Sequence, residues 1–156
     1  MEILPATNFY LDSILDIQKL CYSTDLIESN HVFKSILDLN QSWIALIGNK
    51  VIGYMLVHPW SQDHIPFLNQ VLCMESSESS FIHDLSVHPD YRNIGVATML
   101  VQKTLNSKNR ISLVAVQNSS PFWSKFGFHN IKREIPPGYG KDAVYMYTCP
   151  REYERY

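Results

Sequence analysis

Apolar positions along this chain fall into blocks of different period. Residues 2 to 7 predict a short first strand, and Tyr10, Ile14, Ile17 and Cys21 then recur at helical spacing, predicting a helix after Asn8. Ser29 is a candidate cap for a second helix, with Phe33, Ile36 and Leu37 turned inward and Asn40 at its end. Trp43 to Ile47 and Val51 to Val57 are unbroken apolar runs joined through Gly48-Asn49, a hairpin signal. A long connection follows over 59–80, a length that in compact domains is usually functional or mobile. Beyond it the pattern predicts a strand at 81–88 and a helix at about 94–106, with Ala97, Leu100, Val101 and Leu105 as its buried stripe. Next come a strand at 111–116 and a short helix at 119–126, with Pro121 in its first turn and Gly127 ending it. Two last strands are expected at 128–135 and 143–147. Strands and helices interleaved in this way imply a mixed α/β or α+β domain.

The chain has 156 residues, enough for one domain (1–156) whose core holds without staples, and no linker or repeat divides it. A net charge of -2 supplies no global basic field, so nucleic acid is not an expected partner. Cys21, Cys73 and Cys149 are odd in number, far apart and without metal-site spacing. They predict reduced thiols in the cytoplasm, and no metal is expected. No basic segment followed by an apolar run opens the chain, and no apolar stretch approaches the ~20 residues needed to span a bilayer.

Chemistry concentrates in residues 81–105. Ile82, Leu85 and Val87 give strand character, His88-Pro89-Asp90 stops the strand, and Arg92-Asn93-Ile94-Gly95-Val96-Ala97 opens a helix. The N–H groups of a helix start, with its dipole, bind phosphate. Small side chains at Gly95 and Ala97 let a ligand approach the backbone.

This segment resembles the signature of the GNAT superfamily of acyl-CoA N-acyltransferases: Arg or Gln, two residues, Gly, one residue, then Gly or Ala, here filled by Arg92, Gly95 and Ala97. The predicted element order is similar to that fold over nearly the whole chain. The resemblance implies a single domain with a mixed sheet of about seven strands, splayed in the middle and flanked by about four helices. Gln117 to Phe128 resembles a second family block. Many members carry a tyrosine where this chain has Trp123, and its hydroxyl often protonates the departing CoA thiolate. Trp123 has no acidic hydroxyl, which removes the usual general acid. Gly53-Tyr-Met-Leu-Val-His-Pro-Trp60, Phe81-Ile-His-Asp-Leu85 and Tyr139 to Met146 look like small bacterial GNAT proteins with an HPW loop and an IHDL strand.

Several roles follow as implications of that resemblance. Acetyl-CoA is the expected acyl donor. The backbone of Leu85, Ser86 and Val87 would meet the acyl-pantetheine arm in the gap between splayed strands. Arg92, Asn93, Ile94, Gly95, Val96, Ala97 and Thr98 would hold the pyrophosphate. Phe122 and Trp123 would border the arm, although core packing is the favoured reading of the rings of Phe122, Phe126 and Phe128. Asn118 is a candidate for holding the pantetheine or for capping the following helix.

Acyl transfer to an amine also needs a proton acceptor. Asp84 is the first candidate, with a structural buried carboxylate as the alternative. His83 is the neighbour with the more suitable ordinary pKa. Regular alternation sends the two to opposite faces, so only one should enter the cleft. Tyr139 and Tyr145 would border the acceptor site in this fold and either is a candidate acid, Tyr139 also for the substrate wall, with a core or rim role as the alternative for both. His58 and Trp60 either line the acceptor pocket or anchor their loop. The activity expected is transfer of an acetyl group from acetyl-CoA to the primary amine of a small molecule in a ternary complex, by a monomer or homodimer. The alternatives are acetylation of protein or peptide N-termini and a noncatalytic acyl-CoA-binding module.

Overall fold

The computed structural model describes residues 1–106 and 110–149. A seven-stranded sheet runs in the order β1-β2-β3-β4-β5-β7-β6. Its strands are β1 (Glu2–Pro5), β2 (Trp43–Ile47), β3 (Lys50–Pro59), β4 (Ser80–Val87), β5 (Ile111–Ala115), β6 (His129–Asn130) and β7 (Val144–Thr148). Helices α1 (Leu11–Cys21) and α2 (Asn30–Leu37) cover one face, and α3 (Val96–Leu105) and α4 (Ser120–Ser124) cover the other. Every neighbouring pair is antiparallel except β4 and β5, which run parallel.

Two apolar layers hold the helices on. Ile14 and Ile17 of α1 and Val32, Phe33, Ile36 and Leu37 of α2 pack on Ile44, Tyr54 and Leu56. On the far side Val96, Leu100 and Val101 of α3 and Trp123 of α4 pack on Ile52, Met55, Val57, Ile82 and Leu113. Strand β3 feeds both layers, which is why it reads as a continuous apolar run instead of an alternating one. Ser29 caps α2 as expected, its hydroxyl accepting the Val32 N–H at 3.4 Å.

Several boundaries differ from the sequence pattern. The first strand stops at Pro5, and a 3-10 turn over Asn8–Tyr10 precedes α1. Helix α3 begins at Val96, because Gly95 sits at φ +89° and cannot belong to a right-handed helix. Its buried stripe contains Val96 and Thr104, while Ala97 and Leu105 are half-buried. The strand expected over 128–135 is only His129–Asn130. Ile131 donates one more bond to Tyr145, and then Arg133 leaves the sheet to pair with Asp63 at 2.8 Å. Among the described residues no helix is long and apolar enough to cross a membrane, and no cluster of His, Cys, Asp and Glu could hold a metal.

Candidate active site

Strands β4 and β5 pair only at Ser80–Ile111, Phe81–Ser112 and Ile82–Leu113. Beyond those three pairs they part, as the resemblance implied. The cause is local: β4 carries a bulge against β3, where Leu56 faces Asp84 and Val57 faces Ile82, leaving His83 as the extra residue. A bulge bends its strand and increases its twist. The gap it opens is a cavity of about 520 Å³ bounded by His83 to Val87 on one side and Leu113, Val114, Val116 and Gln117 on the other.

The same bulge corrects the alternation expected for His83 and Asp84. Ile82 packs toward α3, whereas Asp84 is bonded to Tyr54 on the α1–α2 face, so the phase of the strand shifts at His83. His83 reaches Glu28 and Asp84 reaches Tyr22, two residues that bracket the connection from α1 to α2. Both side chains therefore work on one face, and both border the cavity.

Asp84 is buried and richly bonded. Tyr22 Oη donates to Oδ1 at 2.5 Å, Tyr54 Oη to Oδ2 at 2.6 Å, and Ser86 Oγ to Oδ1 at 3.3 Å. Burial pushes its carboxyl up to about 6, against the opposing pull of the two tyrosine hydroxyls and His83. Burial and the Asp84 carboxylate push both tyrosines well above their ordinary value, so they remain donors. His83 lies between Glu28 Oε1 at 2.7 Å from Nε2 and His58 Nε2 at 3.2 Å from Nδ1. Burial alone would lower its pKa, but the carboxylates of Glu28 and Asp84 raise it overall.

The other end of the cavity is built by the turn before α3. Asn93, at φ +65°, and Gly95 bring the chain round, and a Cβ at Gly95 would meet nothing within 4 Å. Among the described residues, Asn93 through Thr98 donate no backbone turn bond, and the Met99 N–H is the first to find an acceptor, Gly95 O at 3.1 Å. Arg92 stands at the rim, its Nε donating to Val87 O at 3.2 Å and a terminal nitrogen 3.4 Å from Cys21 Sγ. Tyr22 also reaches Leu85 O, at 3.3 Å. The carbonyls of Leu85 and Val87 thus face the gap, and with β5 withdrawn their N–H groups have no strand partner there. This cradle of unpaired amides beside a guanidinium fits a pyrophosphate, and the N–H groups of Leu85 and Val87 that β5 leaves without a strand partner fit an amide-bearing arm.

Leu85, Ser86, Val87, Arg92, Asn93, Gly95, Val96, Ala97, Thr98, Phe122, Trp123 and Tyr139, all candidates from the sequence, line the cavity with His83 and Asp84. Five candidates do not. Ile94 points outward and is exposed. Asn118 takes φ +60° in the turn after β5, leaving Gln117 and Ser119 on the cavity wall. His58 is buried behind His83. Trp60 ties its own loop, with Nε1 donating to His64 O at 3.1 Å and its carbonyl accepting from Ser77 Oγ at 2.9 Å. Tyr145 turns its hydroxyl to the Gln62 carbonyl.

Sequence reasoning missed Tyr22, Glu28 and Tyr54. Tyr54 lies inside a block that the family resemblance singled out, but nothing in the spacing of Tyr22 or Glu28 marks them. Gln18 holds the Glu28 backbone on both sides, accepting from its N–H at 2.8 Å and donating to its carbonyl at 3.2 Å. The Asn69 N–H donates to Glu28 Oε2 at 2.8 Å.

Comparison with known proteins agrees with this geometry. The Acetyltransferase (GNAT) family profile matches residues 11–128. An uncharacterized N-acetyltransferase, YafP of Escherichia coli (strain K12), is 24% identical over 102 residues, 65% of this chain and 55% of that protein. The chain therefore spans about half the length of that curated relative. Among solved structures, the loading GNATL domain of CurA from Lyngbya majuscula superposes with TM-score 0.82 at 15% identity, covering 97% of this chain and 98% of that one. The GphF GNAT-like decarboxylase in complex with isobutyryl-CoA gives 0.76 at 14% identity, covering 97% and 100%. Naa50 of Arabidopsis thaliana, in complex with a bisubstrate analogue, gives 0.68 at 15% identity, covering 94% and 97%. With the profile spanning α1 through α4, the chain belongs to the GNAT acetyltransferase family.

Proposed function

We propose that this chain transfers an acetyl group from acetyl-CoA to the primary amine of a small molecule. The observation that carries the reading is the continuity of one cavity from the helix-start cradle at Asn93–Thr98, along the free edge of Leu85 and Val87, to the carboxylate of Asp84. Acetyl-CoA, when bound, supplies the acetyl group as an activated thioester. Arg92 and the amides of the α3 turn would hold its pyrophosphate, and the main chain of Leu85 to Val87 would align its arm. Asp84 lies at the reacting end as the proton acceptor.

The small-molecule assignment rests on the walls beyond Asp84. Tyr139 donates to Pro66 O at 2.6 Å and Arg133 pairs with Asp63, so the connections 60–79 and 131–143 are drawn together. Leu26, Leu68 and Tyr139 border the space beside Glu28 and Asp84. Apolar walls around carboxylates suit a compact cationic amine. A second reading, transfer to a peptide N-terminus, is favoured by a groove between 23–26 and 136–143 that shares Leu26, Gln117 and Tyr139 with the cavity.

Thiol release from acetyl-CoA, followed with a panel of small amines and short peptides, tests these readings beside calorimetric CoA binding. Turnover with small amines supports the proposal, and turnover with peptides alone transfers it to the second reading. CoA binding without turnover on any acceptor would mark a noncatalytic acyl-CoA-binding module.

A further inference from the structure

Hydrogen-bond roles in the buried cluster behind Asp84 can be assigned by exclusion. The Pro59 carbonyl only accepts, so His58 Nδ1, 3.0 Å away, carries a hydrogen. Burial and the neighbouring His83 hold His58 neutral, with its pKa lowered to about 3. Its Nε2 is therefore bare, and His83 Nδ1 at 3.2 Å must be the donor to it. The other His83 nitrogen faces Glu28 Oε1 at 2.7 Å. Imidazole is a stronger base than a carboxylate by about two pH units in water, so the proton between them belongs to His83. A ring donating from both nitrogens is an imidazolium.

We propose that Glu28 is a positioning residue: through the buried chain Glu28–His83–His58 it holds His83 as a fixed cation beside Asp84, leaving Asp84 alone to take the proton of the acceptor amine. This rests on the transfer reading above and deepens it. His83 has no free nitrogen with which to act as a base. Its charge is matched by Glu28, while the donors to Asp84 are the neutral hydroxyls of Tyr22, Tyr54 and Ser86. Asp84 is then the carboxylate of the cluster that no cation hydrogen-bonds, His83 acting on it only across space, and the group that complements it is an ammonium.

The protons balance as follows. Asp84 takes one proton from the ammonium, which frees the nitrogen lone pair. The nitrogen–carbon bond forms as the carbon–sulfur bond breaks. A second amine proton leaves with the sulfur, so CoA departs as the thiol, the third stays on the amide, and Asp84 returns its proton to water.

The titratable groups facing Asp84 and His83 are Tyr22 and Cys21 at the end of α1, Glu28 before α2, Tyr54 and His58 of β3, and Tyr139 from the connection before β7. Two of them distinguish the outcomes. In ¹⁵N-labelled protein at pH 7, with the ring assigned by His83→Gln, both His83 nitrogens should be protonated and His58 should carry one proton. Glu28→Gln, which keeps the main-chain bonds to Gln18, should leave His83 with one proton. The ¹³C titration midpoint of Asp84 should then rise, by less than the roughly one pH unit that loss of a nearby opposite charge alone would give, because the Glu28 carboxylate, which pushes Asp84 up, is lost with it. The acid limb of kcat/KM should follow that midpoint in both proteins. A bare nitrogen on wild-type His83 at pH 7 would overturn the proposal, as would an unmoved Asp84 midpoint once His83 is neutral. Should Glu28→Gln fail to fold by circular dichroism, His83→Gln takes its place, and the Asp84 midpoint must again rise. Absence of turnover with every acceptor would remove the transfer reading and Asp84's role in it, while the charge of His83 stands or falls on the spectra alone.

Discussion

Asp84, the proposed proton acceptor, is a single buried carboxyl bordering the cavity. Asp84→Asn keeps its shape and an acceptor for a tyrosine hydroxyl, but removes the base. Acetyl transfer should fall by about 10²-fold or more, the range of a positioned general base, with CoA affinity unchanged by calorimetry. Wild-type rates across pH would take Asp84 out of the mechanism. The same residue sets a stability trend. Burial raises its carboxyl from 3.8 to about 6, so the folded chain holds that proton more tightly than the unfolded one. The stability from this proton is complete below about pH 4 and is lost as pH rises through 6, on the order of 3 kcal/mol in all. Asp84→Asn should therefore melt above wild type at pH 7, and the two curves should converge below pH 4. A wild-type protein that melts at or above the variant at pH 7 would contradict this.

Two glycines and a bulge join the elements into a site. Gly53 lies under the first turn of α3: a Cβ there would stand 3.1 Å from both Ser86 O and Val96 Cγ1. Gly53→Ala should cost about 1–3 kcal/mol by overpacking and weaken CoA binding by displacing the cradle, read by denaturant midpoint and calorimetry. Gly95 meets the opposite condition, with open space around it but φ +89°. Gly95→Trp should abolish CoA binding by filling the cradle while circular dichroism shows a folded domain; unchanged affinity would refute the phosphate assignment. The bulge at His83 carries the greatest consequence, since a strand without it would turn Asp84 away from Tyr22 and Tyr54.

Across the whole molecule, the 60–79 connection beside the proposed acceptor pocket is held down by distant segments. Tyr139 bonds Pro66, Arg133 bonds Asp63, Tyr145 bonds Gln62, and Asn69 bonds Glu28. Tyr139→Phe removes one of these ties at a cost of about 1 kcal/mol. Amide exchange over 61–72 should quicken and KM for the acceptor should rise, with CoA affinity unaltered. An unchanged acceptor KM would separate this connection from the acceptor pocket.

Order and type of elements, the Ser29 cap and the Arg92–Ala97 turn were legible in the sequence, because each depends on residues within a few positions of one another. Periodicity needs only the local helix or strand, and Gly95 carries its own backbone freedom. The buried hydrogen-bonded cluster around Asp84 has no such locality. Tyr22 and Asp84 are 62 positions apart, Glu28 and His83 are 55, and Tyr54 and Asp84 are 30. Nor could alternation place His83, since the bulge exists only where β4 pairs against β3. The sequence alone determined a glycine-bearing helix start directly after a buried strand. Tertiary structure decided which titratable groups meet there, because hydrogen bonds over 2.5–3.3 Å and the low polarity of a packed interior arise only once distant segments have closed on one another.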